Sequence, residues 1–195
     1  KKKLFKSKRA KNLLKTLKEV DHIVLSPGVN FNTTKNRNYL KKYYHKIITD
    51  IDLIFVLKHF LKSIVVTGTN GKSTTCKILA HVLKKKYNIV LGGNIGTPIL
   101  NLKIKKNNVL IIEASSFQLA YSKFISPDYA LLLNITNDHL DWHGSMKNYI
   151  NAKLKIFEIQ KKSQYSILNN KLKKDFKKRN FQGKLIIPKL SRYKK

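Results

Sequence analysis

Short apolar runs alternate with amphipathic stretches along most of this chain. His22-Ile23-Val24-Leu25 is one such run, and Ser26-Pro27-Gly28 stops it, the pattern of a strand ending in a turn. Residues 39–48 and 51–61 carry helix-compatible spacing, and Thr49-Asp50 between them suits the start of the second helix. Ser63-Ile64-Val65-Val66-Thr67 predicts a buried strand, followed by a glycine-bearing loop and a helix over 73–85. Residues 88–91, 109–114 and 129–135 predict further strands. The last two are continuous apolar runs, as strands covered on both faces require. Gly92-Gly93-Asn94-Ile95-Gly96 reads as a tight loop, and Tyr149, Ile150, Lys153, Leu154 and Phe157 space out a helix over 146–159. Residues 165–168 and 184–187 read as two short strands around a basic helix. Strands alternating with helices predict an α/β fold with a mostly parallel sheet, whose ligands collect at the carboxyl ends of the strands.

The motifs that carry chemistry fall at those ends. In Thr67-Gly68-Thr69-Asn70-Gly71-Lys72-Ser73-Thr74-Thr75 a strand enters a loop with two glycines, and a Lys-Ser pair opens the helix. Backbone N–H groups in such a loop converge on one spot, the helix N-terminus adds positive potential, and Lys72 adds a full charge. The general phosphate-loop pattern has glycine where this chain has Val66, so this is a shortened variant with Gly68 in the upstream role. Glu113 ends the 109–114 strand; it is either a solvated strand end or a Mg²⁺ ligand beside the phosphates. Asn134-Ile135-Thr136-Asn137-Asp138-His139-Leu140-Asp141-Trp142-His143 crowds two carboxylates and two imidazoles into one loop. Its Asp138-His139 pair suits metal ligation with the carboxylate orienting the ring; Asp141 and His143 have weaker claims. Asn94 sits among glycines that form a plain turn or let a polar ligand approach. Nothing in the residue pattern singles out Lys153 from the other lysines, and Cys76 on the helix after the phosphate loop reads as core.

Composition adds bounds. The 195 residues fit one large domain or two small ones, and 42% hydrophobic content supports a packed core. Cys76 is the single cysteine, so no intrachain disulfide forms, as suits a reducing, cytoplasmic setting. The apolar runs at 51–57 and 129–133 fall short of a membrane span. A net charge of +31 invites a polyanion-binding reading. Yet only Arg9, Arg37, Arg179 and Arg192 among the 41 basic residues are arginine, the side chain that reads nucleic acids bidentately. Lysine, Asn, Ile, Tyr and Phe rise together throughout, as A/T-rich codons dictate, so no specific nucleic-acid partner is expected.

Taken together, TGTNGKSTT at 67–75, GGNIGTP at 92–98, EASSFQL at 113–119, LNITNDHLD at 133–141 and YINAKLKIF at 149–157 resemble the Mur ligase family. GGNIG combined with SSFQL resembles its D-glutamate-adding branch. The phosphate loop alone is shared with other Mur ligases and folylpolyglutamate synthases, which remain the alternatives, with an ATP-binding-only module as a third. The resemblance implies a cytoplasmic ligase using ATP and Mg²⁺ to join D-glutamate to UDP-N-acetylmuramoyl-L-alanine through an acyl phosphate. ATP would lie on Gly68, Thr69, Asn70, Gly71, Lys72, Ser73, Thr74 and Thr75. Ser73, Glu113 and His139 would hold Mg²⁺, and Lys153 would carry a carbamate serving a second ion. Asn94 and Ser115 would face the UDP-linked precursor. It also implies that residues 1–60, with Ser26-Pro27-Gly28 and Asp50-Ile51-Asp52, end a UDP-binding domain and that 61–195 form an incomplete central domain. An amino-acid-binding domain is then expected to be missing or supplied by a separate chain.

Overall fold

The protein is described by a computed structural model over residues 17–30, 33–35, 37–57 and 61–188. Within these, β1 (Ile23–Val24), α1 (Arg37–Lys42), β2 (Ile47–Ile48) and α2 (Asp50–Leu57) precede the main sheet. The sheet comprises β3 (Lys62–Thr67), β4 (Asn88–Gly93), β5 (Asn108–Glu113), β6 (Tyr129–Leu132), β7 (Tyr165–Leu168) and β8 (Lys184–Ile186), with α3 (Lys72–Leu83) and α4 (Ser116–Ala120) among its connections. The connection from β6 to β7 carries α5 (Leu140–His143) and α6 (Met146–Leu154), and that from β7 to β8 carries α7 (Lys173–Lys178).

The sheet order is β4-β5-β3-β6-β7-β8, and every pairing is parallel. The α/β expectation therefore holds. Alternation along the strands explains the two cores. Ile64, Val66 and Ile111 point to one face and meet Cys76 of α3, with Leu79 and Leu83 packed alongside. Val65, Leu110, Ile112 and Leu132 point to the other, against Leu119, Leu154, Ile156 and Phe157. Each such side chain contributes about 1.5–3 kcal/mol by leaving water. The chain runs from β3 outward to β4, returns by β5 beside β3, and then places β6 on the other flank of β3. That reversal of order makes the carboxyl end of β3 the place where ligands of such sheets bind.

Four sequence expectations need correction. The strand expected over 129–135 stops at Leu132, where its pairing with β3 and β7 ends. The helix expected over 39–48 ends at Lys42, and a 3₁₀ turn at Tyr44–Lys46 leads into strand β2. Ile47 and Ile48 are fully buried and pair in parallel with Ile23 and Val24, so β-branched side chains took the pleated surface instead of a helix. Gly92 and Gly93 belong to β4, and the loop starts only at Asn94. The helix expected over 146–159 is α-helical to Leu154 and tightens to 3₁₀ over Lys155–Phe157. The helix expected over 51–61 is observed as α2, with residues 58–60 outside the described set.

Asp52 fastens α2 to the connection between α4 and β6. Its buried carboxylate accepts Thr49 N–H at 2.9 Å, Ser122 Oγ, Lys123 N–H at 3.0 Å and Phe124 N–H at 2.8 Å. Asp50 accepts Gln118 Nε2 at 3.2 Å, tying the same helix to α4.

Candidate functional site

The carboxyl end of β3 is zipped between its neighbours before the chain turns into the glycine loop. Ala114 N–H donates to Val66 O at 2.9 Å, Leu133 N–H to Thr67 O at 3.0 Å, and Thr67 Oγ1 to Ala114 O at 2.8 Å. Gly71 then takes a left-handed conformation, φ 81°, immediately before α3, a position that suits glycine. No side chain caps α3, so its first N–H groups are left to an anion or to solvent. Gly68 to Thr75 thus form one continuous loop and first helical turn, as the motif predicts.

Two lysines converge on that loop. Lys72 Nζ donates to Gly68 O at 3.0 Å and Thr69 O at 2.8 Å. Lys153, on α6, reaches the same Gly68 carbonyl at 2.8 Å and lies 4.7 Å from the centroid of the Tyr149 ring. Its side chain is only 2% exposed. Burial first, and then the Lys72 charge, push the Lys153 amine down to about 7, with Asp138 opposing. Among many solvated lysines this one is set apart by its surroundings.

A second group forms around Glu113 at the end of β5. Its Oε2 accepts Ser73 Oγ at 2.7 Å and its Oε1 accepts Asn94 Nδ2 at 3.0 Å. Asn94 N–H also donates to Glu113 O at 2.8 Å. Gly93 makes this approach possible: its φ is 106°, and a Cβ there would collide with the Glu113 carbonyl. The glycines before Asn94 therefore bring β4 against the carboxylate that faces Ser73.

Ser115 precedes α4 and forms a capping box with Gln118, accepting its N–H at 3.2 Å and donating to Oε1 at 3.1 Å. Gln118 reaches on to Asp50, so Ser115 is linked to α2 through one side chain. His139 adopts a left-handed conformation, φ 51°, at the start of α5, with Asp138 Oδ2 3.3 Å from its Nε2. Its ring lies 4.6 Å from that of Phe117. His143 is buried and pairs with Ser116 Oγ at 3.0 Å. Burial foremost, with His139 and Lys153 adding to it, lowers its imidazole to about 4, so it stays neutral and structural near pH 7.

The sequence reading missed two members of this surround. Asn134, two residues beyond β6, hydrogen-bonds the backbone of Asn70 through both ends of its amide. Tyr149 OH lies 3.0 Å from Thr69 Oγ1. Asn134 opens the loop that holds the Asp-His pair, and an uncharged amide there carries no signal in the sequence. Tyr149 fits the helix spacing and gives no sign of its hydroxyl contact.

The family pattern described as the Mur ligase middle domain matches residues 66–188. The UDP-N-acetylmuramoylalanine–D-glutamate ligase of Rickettsia felis is 46% identical over 151 residues, covering 77% of this chain and 33% of that protein. The enzyme of the same name from Rickettsia prowazekii is 41% identical over 172 residues, 85% of this chain and 38% of that protein. The chain thus spans about a third of the length of the curated relatives it matches. Among solved structures, the MurF ligase of Thermotoga maritima in complex with ADP superposes with a TM-score of 0.55 at 25% identity, covering 73% of this chain and 38% of that one.

Proposed function

Because the chain belongs to the Mur ligase family, carrying its middle domain, we propose that it forms the ATP-binding core of a ligase that adds D-glutamate to UDP-N-acetylmuramoyl-L-alanine. The observation that carries this reading is the phosphate loop with Lys72 and Lys153 converging on Gly68 O, beside the Ser73–Glu113 pair. The names of the Rickettsia relatives support the substrates, and the ADP of the Thermotoga ligase supports the nucleotide.

In this reading the loop Gly68–Ser73 and the open turn of α3, including Thr74 and Thr75, hold the β- and γ-phosphates, with the Lys72 ammonium balancing their charge. A carboxylate oxygen of the precursor attacks the γ-phosphorus and ADP leaves. The D-glutamate amine attacks the acyl carbon, phosphate departs with its oxygen, and the nitrogen loses a proton. The donor set suits Mg²⁺: a hydroxyl and a carboxylate share one spot, and magnesium takes one or two carboxylates with water and phosphate completing its shell. Such an ion would neutralise phosphate charge and be held by Ser73 and Glu113, with His139 reached directly or through water.

Asn94 and Ser115 lie on the Glu113 side of the phosphate loop and would orient the precursor. Lys153 would serve as the carbamate-bearing lysine. Only a neutral amine adds to CO₂, and a pKa pushed down to about 7 supplies that form at neutral pH. Residues up to about 60 would end the UDP-binding domain, and the central domain would start with β3. No helix among the described residues is long and apolar enough to cross a membrane. The need for ATP in the proposed reaction supports a cytoplasmic location.

The gene product that carries these residues, given ATP, Mg²⁺, UDP-N-acetylmuramoyl-L-alanine and D-glutamate, should release phosphate and yield the D-glutamyl product by mass spectrometry. Product formation with another amino acid in preference to D-glutamate would move the protein to a different branch of the family.

A further inference from the structure

Besides the bonds from Lys72 and Lys153 and the Tyr149 contact, the phosphate loop of this chain is held by a second neighbouring segment. Residue 66 is valine where longer loops of this kind carry glycine, so fewer residues are available to fold back on themselves. That segment is the stretch just after β6. Asn134 Oδ1 accepts Asn70 N–H at 2.9 Å while Asn134 Nδ2 donates to Asn70 O at 3.1 Å. That pairs one side-chain amide edge-on with one backbone residue, much as a neighbouring strand would. The Asn134 carbonyl adds a third bond, accepting Thr69 N–H at 3.0 Å. Two residues on, Thr136 exchanges bonds with the Thr69 side chain, donating its N–H at 3.0 Å and accepting from Thr69 Oγ1 at 3.3 Å. Leu133 packs under the loop as well: a Cβ at Gly68 would stand 3.1 Å from Leu133 Cβ.

We propose that Asn134 is a positioning residue for the nucleotide: by clamping Asn70 it holds the loop carbonyls and N–H groups in the arrangement that receives phosphate. It touches no reacting atom itself. Its amide fits this task because it offers an acceptor and a donor side by side. An aspartate would set an oxygen against Asn70 O, and serine is too short to reach both groups. The clamp fixes the peptide next to Gly71, whose left-handed turn opens α3. A slack Asn70 would let that turn drift, and Lys72 would lose the two carbonyls that tether it. The inference rests on the nucleotide reading of this loop and adds the residue that preshapes it.

The test compares Asn134→Leu, close in shape without either hydrogen bond, and Asn134→Ala with the wild-type chain and with Lys72→Ala. Amide hydrogen exchange at Asn70 is followed by NMR, Mg-ATP affinity by titration calorimetry, and thermal melting checks folding. Loss of the clamp should speed exchange at Asn70 at least tenfold and weaken Mg-ATP by about tenfold. Exchange in β3 and β6 should stay unchanged, a local signature that a general loss of structure would not give. Lys72→Ala should weaken Mg-ATP while leaving Asn70 protected. If leucine prevents folding, the alanine variant alone decides. Unchanged Mg-ATP affinity in the Asn134 variants, or unchanged exchange at Asn70, overturns the proposal. A wild-type chain that fails to bind Mg-ATP overturns the nucleotide reading, and this proposal with it.

Discussion

Replacing Lys153 by methionine should change how the stability of the protein depends on pH. Lys153 is 2% exposed, and its amine is pushed from an ordinary value of 10.5 to about 7 by burial and by Lys72. Below pH 7 the folded and unfolded forms both hold the proton, and above 10.5 neither does. Between these limits the unfolded chain binds one proton more, so the unfolding free energy rises with pH, by up to about 1.4 kcal/mol per pH unit. From pH 7, where the folded amine is half protonated, to pH 9 the wild-type protein should therefore gain about 2 kcal/mol from this one group, less whatever relaxation of the site relieves. Other groups titrate over the same range, but they are common to both proteins. Subtracting the Lys153→Met curve isolates the lysine. Urea unfolding at pH 7, 8 and 9 in CO₂-free buffer measures the difference, the exclusion of CO₂ keeping the amine from becoming a carbamate. The variant should be the more stable at pH 7, and its advantage should shrink as pH rises. Parallel curves, within about 0.5 kcal/mol, would refute the claim that this buried amine loses its proton near neutrality.

Asp52→Ala should cost about 3–5 kcal/mol, because it strands the buried donors of Ser122, Lys123 and Phe124 as well as those of Thr49. A loss under 1 kcal/mol in urea unfolding would mean that α2 is fastened by something else. Gly93→Ala forces a left-handed φ and a clash with the Glu113 carbonyl, and should cost about 2 kcal/mol or more. Gly96→Ala, with φ 66° and open space around it, serves as the comparison and should cost less in the same thermal melts.

The sheet was legible because its strands are short, continuous and apolar, and because the loop motif fixes where one of them ends. What escaped was decided by tertiary neighbours. Ile47 and Ile48 keep a spacing that a helix tolerates, and only their pairing with β1 makes them a strand. α4 is too short for periodicity to reveal, yet Ser115-Ser116-Phe117-Gln118 carries the serine-to-glutamine spacing of the capping box that starts it. Lys153 is invisible in a chain with 41 basic residues, since burial alone distinguishes it. The reverse holds for the carboxylates. With only 10 acidic residues present, those that persist in apolar surroundings deserve notice, and Asp50, Asp52 and Glu113 each turn out to organise a contact between elements. Asn134 is not legible in the sequence because its role depends on the backbone of Asn70, which only the fold brings beside it.

The central claim is that Gly68–Ser73 receives the phosphates of ATP and that Lys72 supplies the charge. Titration calorimetry of the chain with Mg-ATP, wild type against Lys72→Ala, tests it most directly. A charge-assisted contact to phosphate is worth about 1.5–3 kcal/mol, so the variant should bind at least tenfold more weakly while melting at the same temperature. Equal affinity in the two proteins, or no binding by the wild type, would contradict the account.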